Sequence, residues 1–276
     1  MAVLRSKNSL MIKFYFPRWG FEHIEWNTFC GMVASEGYDG IEYGVPSIVD
    51  DTELDYIWNC VGRHRLKIIA GHYDTLTGDF GEHYELYGRW LERIKMYPAE
   101  KILSQTGRDF FSFEQNLSLI ELAASSGLNI LHETHRGRFS SAPHLMKEFF
   151  DACPSLKINF DVSHWLCVTE SYLDQQEEAL QLAISRSAHI HARVGHTEGP
   201  QVSDFREPEW DHALKKHLSW WDEIVKGNRD KKWELTIGSE FGPYPYMARN
   251  HQTGLPIANQ WELNLEMTKM LKKRYV

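Results

Sequence analysis

Cysteine is scarce in this chain: Cys30, Cys60, Cys153 and Cys167 are the only four in 276 residues. They are scattered, with no close pair of the zinc-ligand type, so neither a disulfide framework nor a cysteine-based zinc motif is expected. Each falls in a helical stretch or in the turn beside one, which fits reduced thiols and a cytoplasmic setting. Long apolar runs are missing too. No stretch of about 18 apolar residues exists to cross a membrane, and the run 11–16 behind the polar, basic segment 1–10 is too short for a signal core. There is no basic excess either. Thirty Lys and Arg stand against 38 Asp and Glu, a formal charge of −8, which disfavours general affinity for nucleic acid. Linkers, low-complexity tracts and close repeats are absent. At 42% hydrophobic and 25% charged residues, the chain reads as one soluble domain over 1–276, with enough length to bury its own core.

What is present is a rhythm. Strand-like runs occupy 11–16, 38–43, 67–72, 101–106, 129–134, 157–162, 188–193 and 233–239. Helical periodicity fills intervals such as 82–97 and 113–126, where Phe113, Leu117, Ile120, Leu122 and Ala124 form an apolar stripe. The runs start roughly 30 residues apart, the size of one βα unit. Eight such units predict an α/β architecture of the (β/α)8 TIM-barrel type, which commonly uses about 250 residues. The rhythm breaks at 194–210, which holds Gly195, Gly199, Pro200 and Pro208 and is expected as a shaped loop or lid. It breaks again at 241–258.

Several runs end in a metal-type side chain. Glu133 closes the fifth and Asp161 the sixth, His189 and His191 stand in the seventh, and Glu240 follows the eighth. In a barrel all strand C-termini open on one face, so these ends should converge. Residues two apart share a strand face, which groups Leu131 with Glu133, Asn159 with Asp161, His189 with His191 and Arg193, and Thr236 with Gly238 and Glu240. The expected ligand set is therefore Glu133, Asp161, His191 and Glu240. Three carboxylates and one imidazole suit a single divalent ion, Mn²⁺ or Mg²⁺ first and Zn²⁺ or Co²⁺ next. His189, one layer deeper, reads as a hydrogen-bonded support.

This ordered set resembles the xylose isomerase-like TIM-barrel superfamily of sugar isomerases and epimerases, which also includes endonuclease IV. The resemblance spans nearly the whole chain. It includes the run from Gly37 to Glu42, Glu133, the run from Asp161 to His164, His189 with His191, and Ser239 with Glu240. By resemblance to ketose 3-epimerases, Glu133 and Glu240 are the candidate acid–base pair and His164 contacts substrate. Two positions depart from those enzymes: Thr197 stands where they place an arginine and Phe139 where they place a second glutamate.

The implied reaction is proton transfer next to a carbonyl through a metal-stabilised enediolate, giving isomerisation or epimerisation of a sugar, sugar acid or sugar phosphate. Arg193, Arg136 and Arg138 suggest an anionic group, with Arg193 as its anchor. Trp165 and Trp19 are candidates to stack on a sugar ring, and His72, which ends the third run, joins the substrate-binding set. The expected partner is a small carbohydrate, without nucleic acid or membrane, and homodimer formation is left open. Three other readings are weighed: a lyase or dehydratase acting on a polyol-type substrate, a phosphodiesterase of the endonuclease IV type, and a sugar-binding barrel without turnover. The nuclease expects Asp-x-His after the seventh strand, and this chain has Asp204 followed by Arg206.

Overall fold

The computed structural model describes residues 12–276; the basic segment 1–10 and Met11 lie outside them. Eight strands close into a parallel barrel in sequence order. They are β1 (Ile12–Pro17), β2 (Gly40–Gly44), β3 (Lys67–His72), β4 (Lys101–Ser104), β5 (Ile130–Glu133), β6 (Ile158–Phe160), β7 (Ser187–His191) and β8 (Leu235–Gly238). Around them run α1 (Trp26–Ser35), α2 (Asp51–Arg63), α3 (Phe80–Ile94), α4 (Phe113–Ser125), α5 (Pro143–Ala152), α6 (Val162–Thr169), α7 (Glu177–Arg186), α8 (Asp211–Lys231) and α9 (Gln260–Tyr275). No helix among the described residues is long and apolar enough to cross a membrane. All four cysteines are free thiols.

Alternation along the strands divides the core into two. Tyr15, Ile69, Leu103, Leu131 and Ala188 fill the barrel interior. Their outward neighbours, such as Phe14, Phe16, Ile68, Ile102, Phe160 and Ile190, join the larger core beneath the helices. The interior is closed below by Lys101, whose ammonium donates to Ala188 O at 2.8 Å, Thr236 Oγ1 at 3.0 Å and Glu234 O at 3.2 Å. Burial pushes this ammonium's pKa down to about 8. Three oxygen acceptors offset the cost of keeping a cation there.

Two departures from the expected boundaries matter for the mouth. Strand six stops at Phe160 and a helix begins at Val162, because Asp161 caps it by accepting the Ser163 N–H at 3.1 Å. Strand seven starts at Ser187 and carries a register shift: Ile158 pairs with Ser187, but Asn159 pairs with His189. Ala188 is the extra residue, and it turns into the barrel.

The 194–210 loop is pinned rather than poised as a lid. Val194, Val202 and Phe205 are buried, and Val202 N–H donates to Val194 O at 2.9 Å. Gly195 is required there, since a Cβ would stand 2.7 Å from Ser163 Cβ. The side chain of Gln201 ties the loop to Gly242 through two hydrogen bonds.

Candidate metal and active site

Glu133 and His191 end their strands, Asp161 caps α6, and Glu240 lies two residues beyond β8. All four stand at C-terminal strand ends, so the barrel delivers them to one face. One ligand atom from each lies within 4.8 Å of the others. His191 Nδ1 is the hub, 3.1 Å from Glu240 Oε2, 3.8 Å from Glu133 Oε1 and 3.9 Å from Asp161 Oδ2.

The other face of that imidazole is held by Glu42, which the sequence pattern includes without assigning it a role. His191 Nε2 lies 2.9 Å from Glu42 Oε1, and His189 Nε2 lies 3.5 Å from Glu42 Oε2. Gly238 makes room for this carboxylate, since a Cβ there would approach Glu42 Oε2 to 2.8 Å. Below, His189 Nδ1 meets Thr236 Oγ1 at 2.6 Å. Glu42 therefore fixes which imidazole nitrogen of His191 faces the acids. Glu42→Gln should weaken Mn²⁺ binding by about 10–100-fold, as measured by metal titration. Unchanged affinity would remove Glu42 from this role.

The electrostatics follow from packing acids in a buried space. Burial pushes the Glu133 carboxyl up to about 8, helped by Glu240 and Asp161 and opposed by His191. Asp161 is raised by the same burial despite Arg193 beside it. Burial lowers His191, but Glu240, Glu42 and Glu133 outweigh it and raise the ring well above its ordinary value when no ion is bound. Glu42 is pushed up by burial and pulled down further by His191 and His189, ending well below the carboxylate range.

These residues fit a divalent ion. Glu240 Oε2 is buried and makes no hydrogen bond, and clustered carboxylates of this kind call for a cation at their centre. The donor set is oxygen-rich, as Mn²⁺ and Mg²⁺ prefer.

Arg193 is fully buried and placed differently from the expected anchor. It pairs through Nη2 with Asp161 and through Nη1 with Glu240 Oε2 at 3.4 Å. It also donates to His164 Nε2 at 3.0 Å and lies 4.8 Å from the Tyr246 ring centre. His164 thus receives Arg193 and packs against His135, with ring centroids 3.9 Å apart and the planes tilted by 48°; burial lowers the pKa of both imidazoles.

A cavity of about 530 Å³ opens above the acids. Glu42, Glu133, Glu240, His72, His135, His164 and Arg193 line it, with Trp19, Trp26, Tyr43, Tyr246 and Gln105. His72 reaches the wall, but its two ring nitrogens meet Ser104 Oγ at 3.2 Å and Thr75 Oγ1 at 2.8 Å. Trp165 and Arg136 do not line it. Trp165 is part of α6 and fully buried, with Nε1 donating to Ser140 O at 2.8 Å. Arg136 is exposed, 5.4 Å from the Tyr246 ring centre. Arg138 is buried and ties loops together through Thr75 O at 3.0 Å and Tyr73 O at 2.6 Å. Trp19, the other tryptophan considered for stacking, is in the wall.

Neither a protein-family model nor a curated protein matches this chain. Solved structures do match, over nearly its full length. The probable 3-DHS dehydratase AsbF, involved in petrobactin synthesis in Bacillus anthracis, superposes with a TM-score of 0.61 at 19% identity, covering 95% of this chain and 99% of that one. A xylose isomerase-like TIM-barrel protein from Mycobacterium smegmatis, in complex with magnesium, gives 0.59 at 10% identity, covering 96% and 98%. Endonuclease IV from Thermus thermophilus gives 0.57 at 10% identity, covering 95% and 99%. The chain therefore shares with these proteins the (β/α)8 TIM-barrel fold. Solved proteins with that fold carry more than one chemistry.

Proposed function

We propose that this protein is a divalent-metal-dependent isomerase or epimerase that moves a proton next to the carbonyl of a small carbohydrate. The observation that carries the reading is the pair Glu133 and Glu240. They rise from β5 and β8, three strands apart, and both reach within 4 Å of His191 Nδ1. A substrate lying over that point meets a carboxylate from two sides, which proton removal and return require. A divalent ion held by Glu133, Asp161, His191 and Glu240 would supply Lewis acidity to adjacent substrate oxygens. Without an ion, burial pushes the Glu133 carboxyl up to about 8; the charge of a held ion would favour its ionised form, the form that accepts a proton. Trp19, Tyr43 and Tyr246 offer apolar faces that exclude water and stack on a ring.

Elimination of water is the second reading. It begins with the same proton removal, and one observation favours it: Phe139, where ketose 3-epimerases place a second glutamate, is buried against His132 and Phe149. The 3-DHS dehydratase among the matching structures performs a dehydration by its name. The nuclease reading is weakened by Arg206, which is tied to Asp204 and Glu262 at the surface.

The test is to incubate the Mn²⁺-loaded protein in D₂O with aldoses, ketoses and their acids and phosphates, and to read products by mass and NMR. Metal-dependent deuterium uptake next to the carbonyl is expected. Loss of water from the product would select the second reading. Absence of metal-dependent exchange or elimination with every substrate would sink both.

A further inference from the structure

Two arginines line the cavity, Arg18 and Arg193, and only one has an unused donor. Arg193 is occupied by Asp161 and Glu240. Arg18 directly follows β1, and its backbone N–H donates to Glu42 O at 2.8 Å, so it sits beside the carboxylate that holds His191. Its side chain is only 4% exposed, yet it forms no ion pair with any described residue.

The surroundings of Arg18 are built to hold a guanidinium without neutralising it. The group lies 4.3 Å from the Trp26 ring centre and 4.5 Å from that of Phe29. Nη2 donates to Ile24 O at 2.5 Å and Glu22 O at 3.3 Å. Nη1 is buried and makes no hydrogen bond. The nearby carboxylates are engaged elsewhere. Glu22, at the cavity rim, accepts the Gly20 N–H, and Glu25 accepts the N–H groups of Asn27 and Thr28 and the Tyr56 hydroxyl. A buried cation with a spare donor is costly until an anion pairs with it. The aromatic faces soften that cost without removing it.

We propose that Arg18 receives an anionic group, a carboxylate or a phosphate, carried by the substrate bound in this cavity. The inference rests on the carbohydrate reading of the site and adds the charge of the substrate and the residue that selects it. Arginine's planar fork matches either oxyanion.

The test measures binding, so it stands apart from turnover. The Mn²⁺-loaded protein is titrated calorimetrically with D-glucose, D-glucuronate and D-glucose 6-phosphate. Wild type should prefer at least one anionic sugar over glucose by about tenfold or more, and which one wins separates carboxylate from phosphate. In Arg18→Met that preference should disappear while Mn²⁺ affinity is kept. Arg18→Lys, which keeps the charge but loses the fork, should retain part of it and serves if the Met variant does not fold. Wild type without preference for either anion, or a preference that survives in Arg18→Met, overturns the proposal. Failure of deuterium exchange alongside an Arg18-dependent anion preference would instead overturn only the reaction assigned above.

Discussion

Glu240→Gln will lower turnover by about 10²–10⁴-fold while leaving the barrel folded, because an amide cannot accept the proton in transit. The residue suits this test because Glu240 Oε2 faces both His191 Nδ1 and Arg193 Nη1 at the centre of the acid cluster. Gln keeps an oxygen that can still face an ion. Metal content must be measured with activity, to separate a lost base from a lost ligand. The decisive comparison is at saturating Mn²⁺, with circular dichroism to verify the fold. Turnover at the wild-type rate there would show that Glu240 moves no proton.

The second large effect concerns stability rather than rate. Arg193→Ala will destabilise the metal-free protein by about 3–5 kcal/mol, the range for breaking a buried ion pair from one side. Asp161 and Glu240 would lose the guanidinium between them, in a region where burial already pushes Glu133 and Asp161 upward. A divalent ion supplies the missing charge, so Mn²⁺ should stabilise the variant more than the wild type. Urea unfolding with chelator and with saturating Mn²⁺ measures both quantities. Equal stability of variant and wild type in chelator would contradict this account of Arg193.

The architecture was legible because barrel strands announce themselves twice, by short apolar runs at a regular interval and by the polar residues that end them. Glu133, Asp161, His191 and Glu240 were readable as a group for the second reason. What stayed hidden depends on contacts across long separations. Glu42 ends its run in a carboxylate just as the ligands do, but its meeting with His191 spans 149 residues and leaves no spacing signal. Arg18 follows a proline and looks like an ordinary turn residue; its value comes from Trp26 and Phe29 closing over it. Trp165 misled for a local reason. Asp161 starts a helix, and a residue four positions into that helix turns back under the strands instead of out toward solvent. The arginines are placed near the mouth by sequence, which cannot show what they pair with. The folded chain gives Arg193 to the acids and Arg138 to loop carbonyls.

The extra residue in β7 bears on how such a chain can change over time. Ala188 shifts the pairing between β6 and β7 by one position, and His189 and His191 come after it. Ala188 turns inward beside His189, so losing Ala188 would leave plain alternation with both imidazoles still inward, whereas losing Ile190 would put His189 and His191 next to each other in the chain and on opposite faces of the strand. Point substitutions in β7 alter one contact each. A single-codon deletion between the two histidines would therefore turn one imidazole away from the acid cluster, so lineages of this barrel should tolerate loss of the extra residue far better than a shortening beyond it.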